Sequence, residues 1–185
     1  MGSAAAPPPD RPKYALPERE RRWLVAPSTA AALVAGPPTR IRDHYLEPGR
    51  LRLRCAVSST GATVHKLGKK YGDRPAGAES ITNLYLTAAE FDLLAALPGW
   101  VVDKQRYRVG PGALDRYGDG DDAAWIFELD FEDAAAAAAC PHPAFADREV
   151  TGDPLWTGAA LARRFGRRQP AAPAADGLSG AGRLV

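Results

Sequence analysis

Glu18-Arg19-Glu20-Arg21-Arg22-Trp23-Leu24-Val25 decides the fold. Its residues fall on two faces with a period of two, which is a strand pattern and not a helical one. One face carries Glu18, Glu20 and Arg22, and the other carries Arg19, Arg21 and Trp23. The habit recurs along the chain. Arg50, Arg52 and Arg54 alternate with Leu51, Leu53 and Cys55, and Lys104, Arg106 and Arg108 share another face. Glu128, Asp130 and Glu132 alternate with Phe127, Leu129 and Phe131, the apolar face that also carries Trp125.

Period-two segments continue through the middle of the sequence. Strands are expected near 17–25, 39–47, 50–57, 62–71, 79–86, 100–109, 112–118 and 124–132. Glu47-Pro48-Gly49-Arg50 is a turn signature that joins two of them as a hairpin. Helix signals are few. Thr87-Ala88-Ala89-Glu90 is a capping box, opening a helix that carries Phe91, Leu94 and Leu97 and stops at Pro98-Gly99. Asp153-Pro154 supplies an N-cap and a first-turn proline for a helix with Leu155, Trp156, Leu161 and Phe165. A short alanine helix follows Asp133 and ends before Pro141. The class is therefore α+β, dominated by antiparallel strands. One domain is expected over 13–166, with disordered tails rich in Ala, Pro and Gly at 1–12 and 167–185.

Composition narrows the function classes. The chain has 185 residues, 45% hydrophobic and 25% charged, enough for one domain with a substantial core. Its formal net charge of +2 argues against a nucleic-acid partner, which favours a more basic surface. The two cysteines, Cys55 and Cys140, make neither a disulfide framework nor a zinc cluster and suit a reducing compartment. No apolar stretch approaches the roughly 20 residues that span a bilayer. The N-terminus lacks a basic region followed by an apolar one, so a cytoplasmic protein without a membrane partner is expected.

For any one strand, the simplest account of a charged face is that water covers it. In combination the strands say more. Acids and bases sort by strand, and like charges along one face repel, so such a sheet wants a counter-charged ligand. The strands also suffice to close or nearly close a barrel, turning charged faces inward and apolar faces outward under the helices. Carboxylates there would offer hard oxygen ligands to magnesium or manganese, and arginines and lysines would bind phosphate oxygens. Together the two sets describe a site for a metal-bound triphosphate.

Other signals are weaker. Asp115-Arg116-Tyr117-Gly118-Asp119-Gly120-Asp121-Asp122 lacks the spaced ligands of a calcium loop and reads as a hairpin turn. His44, His65 and His142 have no metal spacing. Gly110-Pro111-Gly112 lacks the third glycine and following helix of a dinucleotide loop.

The ordered set of motifs resembles the CYTH domain family, also called triphosphate tunnel metalloenzymes. Glu18-Arg19-Glu20-Arg21-Arg22 resembles its opening Glu-x-Glu-x-Lys signature. Asp43-His44-Tyr45-Leu46, Leu51-Arg52-Leu53-Arg54, Leu67-Gly68-Lys69-Lys70 and Lys104-Gln105-Arg106-Tyr107 resemble later strands in order. Ala113-Leu114-Asp115 resembles the strand with an inward aspartate, and Glu128-Leu129-Asp130 falls at the Glu-x-Glu pair. Glu149-Val150-Thr151-Gly152-Asp153 resembles a segment of bacterial members.

The resemblance implies an eight-stranded antiparallel β-barrel, a tunnel open at both ends with a few flanking helices. It implies a metal-dependent hydrolase cleaving a terminal phosphoanhydride of a small-molecule triphosphate, with Mg2+ or Mn2+ as cofactor. Class IV adenylate cyclase chemistry and a catalytically impaired polyphosphate- or nucleotide-binding module are the alternatives. By position, Glu18, Glu20 and Arg22 would be catalytic; Glu18, Glu20, Asp115, Glu128 and Asp130 would hold metal. Arg52, Arg54, Lys70, Lys104 and Arg106 would bind phosphates, and Glu79 would orient the basic residues. Arg22 stands where the signature has lysine, which keeps the charge but not any role that needs a neutral amine.

Overall fold

The structure is a computed structural model that describes residue 12 and residues 14–71 and 79–171. All eight expected strand segments are present, the first divided in two: β1 (Leu16–Glu18) and β2 (Glu20–Leu24) flank Arg19. Then come β3 (Thr39–Leu46), β4 (Leu51–Val57), β5 (Thr63–Tyr71), β6 (Glu79–Leu86), β7 (Gly99–Val109), β8 (Gly112–Tyr117) and β9 (Ala124–Asp130). Two short strands, β10 (Arg148–Glu149) and β11 (Arg167–Gln169), bring the total among the described residues to eleven. β11 pairs with β7 and lies where a disordered tail is expected, while most of both expected tails falls outside the described residues.

Every pairing is antiparallel, and the main path runs β1-β6-β5-β4-β3-β7-β8-β9-β2-β10. The path is open, so these pairings do not draw the closed eight-stranded barrel. Yet β1 and β2 stand toward opposite ends of it and are joined through Arg19 alone. β1 pairs with β6, placing Glu18 opposite Glu79, and β2 pairs with β9, placing Glu20 opposite Asp130 and Arg22 opposite Glu128.

Four α-helices decorate the described sheet: α1 (Pro27–Leu33), α2 (Ala88–Ala95), α3 (Ala134–Ala139) and α4 (Gly158–Phe165). Thr87 and Glu90 make the expected reciprocal capping box of α2. Asp133 caps α3 by accepting from Ala136 N at 2.7 Å. Sequence reasoning missed α1, although Pro27 at its first turn is a start signal. The helix expected from Asp153 divides: Pro154–Trp156 is a 3-10 turn, and Thr157 then caps α4, accepting from Ala160 N at 3.3 Å. Among the described residues, no helix is long and apolar enough to cross a membrane.

The core has two parts. On one side of the sheet Trp23, Leu114 and Phe127 pack under α1 with Val25 and Ala30, as an apolar outer face should. The second cluster lies on the charged side. Val102, Tyr117 and Ile126 pack against Leu161 and Ala162 of α4. By alternation Val102 shares its face with Lys104, Tyr117 with Asp115, and Ile126 with Glu128. These strand faces are therefore apolar at one end and charged further along, and α4 sits on the apolar end. Gly158 permits this approach, because a Cβ there would come within 1.9 Å of the Tyr45 hydroxyl oxygen. The helices thus do not all pack outside the sheet, because α4 lies on its charged side.

Trp23 is fully buried in the outer cluster. Replacing it by alanine should cost about 3–5 kcal/mol, read as a fall in the urea midpoint. A midpoint unchanged within error would show that α1 closes over the gap.

Candidate functional site

The charged stretch of the sheet face and the first turn of α4 enclose a cavity of about 630 Å³. Nine basic and six acidic side chains line it, so mixed charge is its defining chemistry. Glu18, Glu20 and Arg22 of β1 and β2, Arg52 and Arg54 of β4, and Lys66 and Lys70 of β5 all contribute. Lys104 and Arg106 of β7 and Glu128 and Asp130 of β9 complete the charged wall, with Tyr45, Asn83 and Tyr117 among them. These residues come from distant parts of the chain, and antiparallel register alone brings them together.

Two aspartates lie behind the cations. Asp43 is 1% exposed and accepts two hydrogen bonds from Arg54, at 2.6 and 2.7 Å. Burial alone would raise its carboxyl. The charge and hydrogen bonds of Arg54, with Arg52 and Lys104 nearby, overturn that and hold it at about 2. Asp115 is 0% exposed and takes two hydrogen bonds from Arg106, both at 2.6 Å, and another from Lys104. Burial opposes its ionisation too, and Lys104 and Arg106 reverse the effect and push it well below the usual carboxylate range. The like-charged strands are thus compensated from the neighbouring strands, an arrangement invisible when each strand is read alone.

The remaining acids differ. Lys70 meets Glu18 at 2.6 Å, and Glu128 accepts from Arg22 at 3.0 Å and from Arg106 at 2.5 Å. Glu20 is pushed up to about 7, first by burial and then by the Glu128 charge, with Arg22 opposing and Glu18 adding to the rise. Asp130 is raised as well, by burial and then by Glu128. Glu20, which holds a proton near neutrality, and Asp130, raised beside it, belong to a crowded set of oxygen donors that suits a hard divalent cation. Among the described residues no three acidic, histidine or cysteine side chains are close enough together to form a metal cage as they stand.

Arg22 is 7% exposed and almost wholly engaged. Its Nε donates to Glu128, and its Nη1 donates to the Trp156 carbonyl at 2.5 Å. It therefore ties β2 to the turn that precedes α4. Lysine, with a single ammonium, would not reproduce this fork.

The cavity collects Glu18, Glu20, Arg22, Arg52, Arg54, Lys70, Lys104, Arg106, Glu128 and Asp130 from the residues picked out in the sequence. Asp115 lies behind the wall, with its oxygens turned to Lys104 and Arg106. The Glu79 side chain falls outside the described residues. Sequence reasoning missed Lys66, which shares the face of Gly68 and Lys70, and assigned no role to Asp43 or Tyr45. Strand parity was signal enough for Lys66. For Asp43 the signal was weaker, since only the pairing of β3 with β4 sets it opposite Arg54. Arg52 keeps one buried Nε without a hydrogen-bond partner among the described residues.

No protein-family model matches the chain, and no curated protein matches it in sequence. Solved structures do. Two crystal structures of NE1496 align with it, one described as a hypothetical protein and the other as an inorganic triphosphatase. They show 24% and 21% identity and TM-scores of 0.47 each, covering 78% and 80% of this chain and 97% and 95% of theirs. A Bacillus halodurans protein described as a candidate adenylate cyclase aligns at 19% identity and a TM-score of 0.50, covering 68% of this chain and 86% of its own. The likeness is one of fold.

The Asp43 carboxyl sits below its unfolded value of about 3.9, so it adds stability above that pH and loses it as pH falls toward about 2. The difference is worth roughly 2–3 kcal/mol. Asp43→Asn should flatten the urea midpoint between pH 4 and pH 2 relative to wild type. At neutral pH it should lower stability by about 3–5 kcal/mol, because Arg54 is left buried without its partner. Parallel wild-type and variant profiles would rule out this account of Asp43.

Proposed function

We propose that the protein is a divalent-metal-dependent hydrolase that cleaves the terminal phosphoanhydride of a triphosphate, bound inside a tunnel formed by the sheet. One observation carries this proposal: a single cavity collects arginines and lysines from β2, β4, β5 and β7 against crowded carboxylates on β1, β2 and β9. The tunnel is supported by the chain path, since β1 and β2 reach β6 and β9 across Arg19 alone. Acidic residues Glu18, Glu20, Glu128 and Asp130 would hold magnesium or manganese. The ion would supply neutralisation of phosphate charge and orientation of the attacking water.

The chain's own groups do the rest. Arg52, Lys70 and Arg106 would bind nonbridging oxygens, with side chains 22%, 32% and 29% exposed to the cavity. Arg54 and Lys104 are fixed by Asp43 and Asp115, so their charges are preorganised where charge develops in the transition state. Tripolyphosphate is the minimal substrate that meets these demands. A cytoplasmic location belongs to the same proposal and is supported by the free thiols Cys55 and Cys140.

The engagement of Arg22 favours a second possibility, a module that binds triphosphate without cleaving it. Purified protein should release phosphate from tripolyphosphate with magnesium or manganese and stop when the metal is chelated. Pyrophosphate and a cyclic nucleotide from ATP would instead identify a cyclase. No release at all, with Glu18→Ala binding tripolyphosphate as well as wild type, rules out the hydrolase. Under the binding-only alternative, Arg22→Lys should restore turnover to a protein that binds tripolyphosphate but does not cleave it.

A further inference from the structure

Tyr85 is a large aromatic residue that the proposed chemistry does not use, and it is 73% exposed. Its position is unusual for so exposed a ring. Cross-strand partners share a face, and Tyr85 pairs with Lys66, which in turn pairs with Arg54. Lys66 and Arg54 both line the cavity. Tyr85 therefore belongs to the cavity side of β6, at the edge of the charged wall. Its ring is held there by the Lys66 ammonium, 4.7 Å from the ring centroid. Most of the ring remains open.

Two neighbours make this more than a stray exposed aromatic. Asn83, two residues earlier on the same face, lines the cavity and presents a side-chain amide there. Opposite it stands Gly68, where a Cβ would crowd Asn83 Oδ1 at 3.1 Å, so the glycine lets the amide lie close against β5. An open ring and a side-chain amide thus lie along one edge of the charged wall. Arg54 and Tyr85 are two strands apart, roughly 9–10 Å, a span suited to a ribose between phosphate and base.

We propose that β5 and β6 form a nucleobase subsite, with Tyr85 as the stacking platform and Asn83 as the group that reads the base edge. It rests on the triphosphate proposal and narrows the substrate to a nucleoside triphosphate with a neutral base. Stacking accepts any planar ring, but Lys66 and Arg54 disfavour a cationic one such as a thiazolium. Asparagine matches the amine and ring-nitrogen edge of adenine, so ATP is the fitting probe.

The test is equilibrium binding of ATP, tripolyphosphate and thiamine triphosphate to the full chain, measured by calorimetry. Tyr85→Ala should weaken ATP binding roughly 5- to 150-fold and leave tripolyphosphate unchanged. Tyr85→Phe should keep wild-type ATP affinity, and Asn83→Ala should weaken ATP alone. Wild type should bind ATP more tightly than thiamine triphosphate. Equal loss of ATP and tripolyphosphate in Tyr85→Ala, or no loss of either, overturns the subsite while leaving the triphosphate proposal standing. Tighter thiamine triphosphate binding that depends on Tyr85 overturns the neutral-base assignment. Failure of wild type to bind tripolyphosphate removes the parent proposal, and the subsite with it.

Discussion

Burial of like charges inside one sheet face is the constraint on which the molecule depends. Arg54, Lys104 and Arg106 would repel each other and lose hydration if the cavity wall held only cations. Asp43 and Asp115 solve this from behind. Each is buried and each is ionised in spite of burial, because the guanidinium and ammonium groups face it directly. The outcome is a wall whose cations are fixed in place yet present their outer surfaces to the cavity. Removing one aspartate would therefore disturb several strands at once, since the pair Asp43–Arg54 joins β3 to β4 and the set around Asp115 joins β7 to β8.

Much of this was legible in the sequence because strand periodicity is a local property. Glu18 to Val25 declares its two faces, and the hairpin at Glu47 to Arg50 sets the register between β3 and β4. What stayed hidden depends on contacts between distant segments. Alternation separates the two faces of a strand but does not mark where a face changes character along its length. Val102 and Lys104 point to the same side, and only the packing of α4 shows that one lies in the core and the other in the cavity. Compensation was equally hidden. A row of arginines looks unpaired until the neighbouring strand is known, and Asp43 stands across from Arg54 only through register.

Arg22 illustrates how a substitution within a motif can be structural. Its two ends are committed to Glu128 on β9 and to the Trp156 carbonyl beside α4. The first contact is between sheet neighbours, and the second crosses to the segment whose helix fills the apolar end of the same face. A planar, always-charged fork can make both at once, while an ammonium must share one point. Arginine thus couples the position of α4 to the charge state of the cavity wall. That coupling explains why the residue is buried and not presented to the cavity as a free cation.

Electrostatic balance then limits how the cavity can hold a polyanion. Nine basic side chains face six acidic ones, and Asp43 and Asp115 behind them reduce the surplus to one positive charge when all are ionised. A triphosphate carries several negative charges, so these side chains alone do not neutralise it. The burial and the Glu128 charge that lift Glu20 to about 7 point the same way, because that carboxyl is readily neutral even with Arg22 and Lys70 beside it. On the proposed function, a divalent ion held by Glu18, Glu20, Glu128 and Asp130 would relieve both imbalances together, offsetting carboxylates that repel each other and adding the charge that the arginines and lysines lack. Metal and triphosphate would therefore bind with positive coupling, each removing the repulsion that opposes the other.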